Sequence, residues 1–218
     1  YVEESMNVNV YNKIREDIMF LKLRPKEEVS VQKLADAYDS GRTPIREAVL
    51  KLSDEGLVHV KPQAKTTIEP ISETRVQQEL FIRKSLEISA LGDFQYNCSP
   101  YVLDTLEEIV NIMERAVQKE KTPDFFQLNK RFHRLIFSTA SKELAYEVMD
   151  YSGTHSQRLF ILRMSQIEKR KELLADYRKL VASMHNGKKA ELLIAMDDHI
   201  EKYYSVGNLK EKHPDYFG

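Results

Sequence analysis

The sequence predicts a mainly α protein in two parts. An N-terminal winged helix-turn-helix over residues 1–71 is followed by an all-α six-helix bundle over residues 72–218. Three observations predict it. Short helical repeats of apolar residues open the chain and give way to two β-prone runs, Leu57–Lys61 and Thr66–Pro70. Beyond Pro70-Ile71-Ser72 the helical period continues, broken only at Ser99-Pro100, Thr122-Pro123 and Asn186-Gly187. A chain of 218 residues, 42% of them hydrophobic, has the material for a small domain and one larger core.

The first helix is predicted over Val8–Lys22, where Val10, Ile14, Ile18 and Met19 recur at helical spacing. The second spans Ser30–Tyr38, with Val31, Leu34, Ala37 and Tyr38 closing one face. The third lies in Ser40–Leu57, which reads SGRTPIREAVLKLSDEGL. Thr43 suits the capping position and Pro44 the first helical one, because proline's φ is fixed and its missing N–H is an orphan there anyway. Ile45, Ala48, Val49 and Leu52 then share a face, which leaves Arg42, Thr43, Arg46 and Lys51 on or beside the other. Gly56 supplies the left-handed stop, and Leu57, Val58 and Val60 start a wing hairpin that turns at Pro62-Gln63-Ala64-Lys65.

Three short helices and a hairpin present the third helix to a DNA groove. Arg42 and Arg46 are the candidates for base-edge or phosphate contact, Thr43 for a phosphate bond, Lys51 for the flank and Lys65 for the wing. A formal net charge of -1 excludes an indiscriminate polyanion binder, so DNA affinity must come from the local face of Arg42, Arg46, Lys51, Lys61 and Lys65. One short helix reads few base pairs, so a homodimer on a near-palindromic operator is expected. Cys98 is the single cysteine, which rules out an internal disulfide or a cysteine-based zinc site and fits a cytoplasmic location. An apolar leader and a membrane-length apolar run are both missing, so no membrane partner is expected.

In the second part Ser72 caps a helix over Glu73–Gln95, and further helices are predicted over Pro100–Glu120, Asp124–Ser138, Lys142–Met164, Gln166–His185 and Lys188–Val206. The stripe Tyr151, His155, Phe160 and Leu162 reads as pocket lining or as core, and Arg158 and Arg163 as cavity residues or as surface ion pairs. Lys169-Arg170-Lys171 reads as a solvated face. Glu107-Glu108 and Asp197-Asp198 are adjacent on helices and point about 100° apart, so they make poor acid/base pairs. Residues Lys210–Gly218 are expected to drape over the surface or over a partner subunit.

From Val10 to Ile71 the chain resembles the DNA-binding domain of the GntR family of bacterial transcription regulators. The resemblance rests on Leu23-Arg24-Pro25, Leu34-Ala35, Arg42-Thr43-Pro44 and Glu47-Ala48. It departs from the pattern at Lys26, where a turn glycine is usual, and at Ala64-Lys65-Thr66, which lacks the wing-tip glycine. The six following helices resemble the FCD-type effector-binding and dimerisation domain of the FadR subfamily, in the short VanR-like form, through Asn129, Phe132-His133 and Asp198-His199-Ile200.

That resemblance implies a divalent metal, zinc or nickel, inside the bundle, held by an Asp and a His one turn apart and by two later histidines. The matching positions are Asn129, His133, Tyr177 and His199, so two of the four ligands change type. Either a degraded metal site persists on His133, His199 and Asn129, or these groups are a hydrogen-bonded polar pocket. Arg83 matches the arginine that faces the family's ligand, and its fork suits a carboxylate; an ion pair with Glu87 one turn on is the other reading. The implied effector site is thus Arg83, Asn129, His133, Tyr177 and His199, and the implied effector a small organic acid. The expected protein is not an enzyme but a regulator, with repression relieved by a carboxylated metabolite. Its rivals are a constitutive regulator with a decayed pocket and a metal-dependent helical-bundle enzyme, the latter opposed by the altered ligands and the lack of a nucleophile motif.

Overall fold

A computed structural model describes residues 2–60, 66–118 and 122–218. The chain divides into two units, residues 1–75 with 206–218, and residues 76–205.

In the first unit, α1 (Val2–Met19), α2 (Val31–Ala37) and α3 (Arg42–Asp54) surround a core of Ile14, Ile18, Leu34, Ile45, Ala48 and Leu52. The apolar repeats of α1 and α3 are buried as their spacing predicts. In α2 the buried small residue is Ala35, not Ala37, which is exposed. Ser30 caps α2, its hydroxyl accepting the Lys33 N–H at 3.1 Å. The third helix starts earlier than Thr43 and Pro44 suggest. Gly41 is its N-cap, the Ile45 N–H bonds the Gly41 carbonyl at 3.3 Å, and Thr43 lies inside the first turn. Pro44 is accommodated because the first N–H groups of a helix have no partner within it. The stop is as expected: Gly56 has φ 70°, and the Leu57 N–H returns to the Leu52 carbonyl at 2.9 Å.

The wing strands β2 (Val58–Val60) and β3 (Thr66–Ile68) pair antiparallel, with Val58 opposite Ile68 and Val60 opposite Thr66. The turn with Lys61 and Lys65, the lysine assigned to the wing, lies outside the described residues. A further strand, β1 (Glu28–Val29), completes the order β1-β3-β2. It is too short to show a period. Just before it, Lys26 takes φ 66°, the left-handed conformation for which a glycine is suited.

Residues 206–218 belong to this same unit and form α11 (Leu209–Lys212) and a 3₁₀ turn (Pro214–Tyr216). They do not drape loosely. The Ile71 N–H bonds the Tyr216 carbonyl at 2.8 Å, the Gly218 N–H bonds the Ile71 carbonyl at 3.2 Å, and Phe217 and Ile71 form a parallel bridge. Phe217, Leu209 and Ile71 are all buried.

The second unit is all-helical: α4 (Glu73–Asn97, which begins in the first unit), α5 (Pro100–Gln118), α6 (Thr122–Thr139), α7 (Glu143–Ser152), α8 (Thr154–Met164), α9 (Ile167–His185) and α10 (Lys189–Tyr204). The apolar stripe Leu106, Ile109, Val110, Met113 and Val117 of α5 packs on α6 and α9. One predicted helix, Lys142–Met164, is two, broken at Gly153. The break has a partner from another element. Glu79 of α4 is buried, and its carboxylate accepts the N–H groups of His155 at 3.2 Å and Ser156 at 2.7 Å. A carboxylate on those orphan donors caps α8 from outside its own sequence.

Candidate DNA-reading helix and buried polar site

The exposed side of α3 carries Arg42, Thr43, Arg46 and Lys51, opposite the buried Ile45, Ala48, Val49 and Leu52. Arg42 is steadied by Gln32 of α2, which accepts its Nε–H at 2.6 Å. Lys51 reaches back over the Tyr11 ring, 5.8 Å from its centroid. Arg46 projects between them, together with the exposed Leu50, which the sequence reading did not single out. A convex apolar-backed helix with cations along its outer side has the form a major groove admits.

Within the second unit, Arg83 and Glu87 lie one turn apart on α4, and both are buried. Arg83 donates to Glu87 Oε1 at 2.9 Å, so the ion pair foreseen for them exists, but in the interior. The guanidinium also lies 3.7 Å over the Tyr204 ring. Glu87 Oε1 faces His133 Nδ1 at 3.0 Å, His133 Nε2 is 3.0 Å from the Tyr177 hydroxyl, and that hydroxyl contacts Asn129. The Asn129 amide reaches the Tyr204 hydroxyl at 3.0 Å. All four candidates on α6, α9 and α10 therefore meet, because Asn129 and His133 share one face of α6 and Tyr177 and His199 look toward it. The His199 ring is 4.9 Å from that of Tyr177 and 5.7 Å from that of His133, centroid to centroid.

Charge is distributed unevenly across this cluster. Burial raises the Glu87 carboxyl, but Arg83 and then His133 outweigh it and hold it down at about 2. Burial likewise opposes the Arg83 charge, and Glu87 more than restores it. Burial lowers both histidines, His199 to about 3, so each is neutral at pH 7. The Tyr177 hydroxyl donates to Asn129 Oδ1, and the Asn129 amide nitrogen donates to the Tyr204 hydroxyl at 3.0 Å. The His133 ring joins this chain to Glu87, with Nε2 on the Tyr177 hydroxyl and Nδ1 on the carboxylate, each at 3.0 Å. Both nitrogens of His199 and the Arg83 Nε are buried without a partner among the described residues.

The metal of the resembled site does not fit this arrangement. The Tyr177 hydroxyl lies on His133 Nε2 and on the Asn129 amide, the two groups that would hold an ion. Among the described residues, no three His, Cys, Asp or Glu side chains are grouped to bind one. The space left beside Arg83, Asn129, His133, Tyr146 and Tyr204 is about 10 Å³, room for about one water.

Other candidates separate. Tyr151 is 62% exposed, whereas His155, Phe160 and Leu162 are buried. Arg158 is fully buried and bonds the Thr154 carbonyl at 3.3 Å and His155 Nδ1 at 3.1 Å; Arg163 donates to the Ser205 carbonyl at 2.6 Å. Neither is a surface ion pair. Lys169 and Lys171 pair with Glu172 and Glu168, but Arg170 between them is buried. Tyr204 and Glu79 escaped the sequence reading, although Glu79 stands on the buried face of α4 with Val76, Arg83 and Glu87.

Residues 7–68 match the model of the bacterial regulatory proteins of the gntR family, and residues 79–202 match the FCD domain. The chain belongs to the GntR family, with an FCD domain as its second part. The HTH-type transcriptional repressor RspR of Escherichia coli (strain K12) is 22% identical over 215 residues, which cover 98% of this chain and 94% of that protein. The solved structure of E. coli McbR/YncC superposes with a TM-score of 0.72 at 18% identity, over 90% of this chain and 93% of that one. A GntR regulator from Rhodococcus sp. RHA1 gives 0.76 at 16% identity, over 91% and 95%. The protein is a DNA-binding transcription regulator. No helix among the described residues is long and apolar enough to cross a membrane.

Proposed function

We propose that this GntR regulator is a cytoplasmic repressor that binds a near-palindromic operator as a homodimer and is released by a small carboxylated metabolite in its FCD domain. The observation that carries the DNA half is α3, where Arg42, Thr43, Arg46 and Lys51 are exposed and every apolar residue at core spacing is buried. Arg42, Arg46 and Thr43 contact bases or phosphates and Lys51 flanks them, with Lys65, outside the described residues, as a further candidate for a phosphate. The effector half is supported by the Arg83 Nε–H, a buried cationic donor without a partner among the described residues, on the border of the cavity. Asn129, His133, Tyr177 and His199 supply the remaining polar groups. A metabolite needs some 300 Å³ or more, so Tyr204 and its neighbours must move to admit one. Linkage then requires the ligand to prefer one arrangement of the DNA-binding units.

Selection of bound duplexes from a random-sequence pool tests this reading. An inverted repeat is expected for the native protein. Arg46→Ala should cost about 1–3 kcal/mol and relax one base position in each half-site. Recovery of a single unrepeated site would rule out the dimeric mode, and uniform weakening across sequences would make Arg46 a phosphate contact.

The near-filled cavity favours a second reading, a constitutive regulator whose pocket has closed on its own side chains. Thermal unfolding against a panel of organic acids separates the two. A bound acid raises stability by RT ln(1 + [L]/Kd), and a closed pocket gives no shift.

A further inference from the structure

Leu50 is the side chain of α3 that neither the core nor the charged face accounts for. The helical period puts Ile45, Ala48, Val49 and Leu52 on one side, and all four are buried. The other side is polar, with Arg42, Thr43, Arg46, Glu47, Lys51 and Asp54 exposed. Leu50 stands among them at 60% exposure. An exposed leucine means little on an ordinary surface. At 3.6 residues per turn, however, this one lies about 40° round the helix from Arg46 and about 20° from Thr43. It therefore occupies the middle of the side assigned to a DNA groove. Its backbone is anchored on both sides in the chain by the buried Val49 and Leu52, so the side chain starts from a fixed point.

Leucine has no donor and no acceptor, which excludes most of what a duplex offers. Phosphates are bound by cations, hydroxyls, amides and N–H groups. In the major groove guanine and adenine present N7 beside a second polar group, cytosine presents its amino group, and thymine alone adds a C5 methyl. Against the first three, a leucine removes water from a polar edge and returns no hydrogen bond. Against thymine it covers a methyl group. With a rise of about 1.5 Å per residue, Leu50 stands about 6 Å along the axis from Arg46, roughly two base-pair steps.

We propose that Leu50 is a specificity-determining residue that reads a thymine methyl, about two base pairs from the base or phosphate that Arg46 contacts. The inference rests on the assignment of α3 as the reading helix and adds one base to what that helix reads. The division of labour follows from side-chain chemistry. Arg46 and Lys51 attract any duplex through charge, whereas Leu50 adds nothing to general affinity and contributes only a preference.

The test uses the full chain and a recognition sequence recovered from a random-sequence pool. Each thymine of that duplex is replaced in turn by deoxyuridine, which removes the C5 methyl and keeps the hydrogen-bonding edge. For the native protein, one thymine in each copy of the recognition sequence should weaken binding about fourfold when replaced, the worth of one buried methyl group. Leu50→Ala should bind the thymine and uracil duplexes equally at that position and keep the native response at every other. Its melting temperature should match the native one, because the side chain it trims lies outside the core. Equal losses for the native and Leu50→Ala proteins at every thymine would overturn the proposal, since the methyl would then act through DNA shape or another side chain. Native affinity and selectivity in Leu50→Ala would overturn it as well and leave Leu50 to a protein partner. A pool without any preferred sequence would overturn the reading-helix assignment too, whereas a preferred sequence without a Leu50-dependent thymine would overturn the role of Leu50 alone.

Discussion

The Tyr177 hydroxyl stands 3.0 Å from His133 Nε2, and Glu87 stands 3.0 Å from His133 Nδ1, so both nitrogens of this histidine already face a partner. Burial holds the phenol well above its ordinary value, so it is a neutral hydrogen-bonding group and not a ready anionic ligand. Native protein incubated with zinc or nickel and then desalted should retain far less than one ion per chain by elemental analysis. Asn129→Asp combined with Tyr177→His restores the carboxylate and the imidazole, and should bring retention near one. Native protein that loads fully would show that Tyr177 yields its place.

The buried titrating groups make stability depend on acid in one direction. His199 ordinarily titrates at 6.5 and is lowered to about 3, so in that window the unfolded chain holds a proton that the folded chain refuses. Its contribution is complete above pH 6.5 and is lost as pH falls. Glu87 goes from 4.5 to about 2, so its contribution is complete above 4.5 and is lost as pH falls further. The melting temperature should therefore drop from pH 7 to pH 4, with His199 acting first. His199→Phe removes a titrating ring whose nitrogens have no partner among the described residues, and should flatten the fall between about pH 6.5 and 4.5. An unchanged slope in that variant would exclude His199 as its source.

Much of this fold was legible because its elements repeat. In α3 the buried positions Ile45, Ala48, Val49 and Leu52 follow the helical period, and the glycine stop at Gly56 takes the conformation its residue type implies. The wing pairs where its β-prone runs stand. What escaped depends on partners far along the chain. The period of Lys142–Met164 runs straight through Gly153, and only Glu79, from α4, reveals that a new helix begins there. The strand at Glu28–Val29 exists because β3 offers it an edge. Phe217 is buried against Ile71, a pairing no local pattern encodes. The site itself left one trace: Glu79, Arg83 and Glu87 occupy the positions on α4 that periodicity reserves for the core. Charges in a core register must be paired, and their partners form the site.

Lys26 offers a test of backbone strain. At φ 66° a side chain costs about 1–2 kcal/mol, and the extra freedom of glycine in the unfolded chain offsets about half. Lys26→Gly keeps the N–H bond to Ile68 and should stabilise the protein by about 0.5–1 kcal/mol in urea denaturation. Lys26→Ala isolates the loss of the ammonium contact with Pro214 and should destabilise slightly. If the glycine variant is the weaker of the two, the conformation is not a source of strain.

Glu79 is the buried acceptor on which the start of α8 depends. Its two oxygens take the His155 and Ser156 N–H groups, and nothing in the α8 cap itself replaces them, since Gly153 has no side chain to offer. Glu79→Ala removes a cap, worth about 0.5–2 kcal/mol, and strands a buried donor at about 1–3 kcal/mol more. A loss of about 1.5–5 kcal/mol is expected, with exchange at the His155 and Ser156 amides accelerated beyond what global unfolding explains. The chain cannot heal the break by joining α7 to α8. A Cβ at Gly153 would meet the Met149 carbonyl at 3.1 Å and the Gln157 amide nitrogen at 3.2 Å. Gly153→Ala should therefore fail to rescue Glu79→Ala; a rescued double variant would show that helix propensity, and not the Glu79 cap, decides where α8 begins.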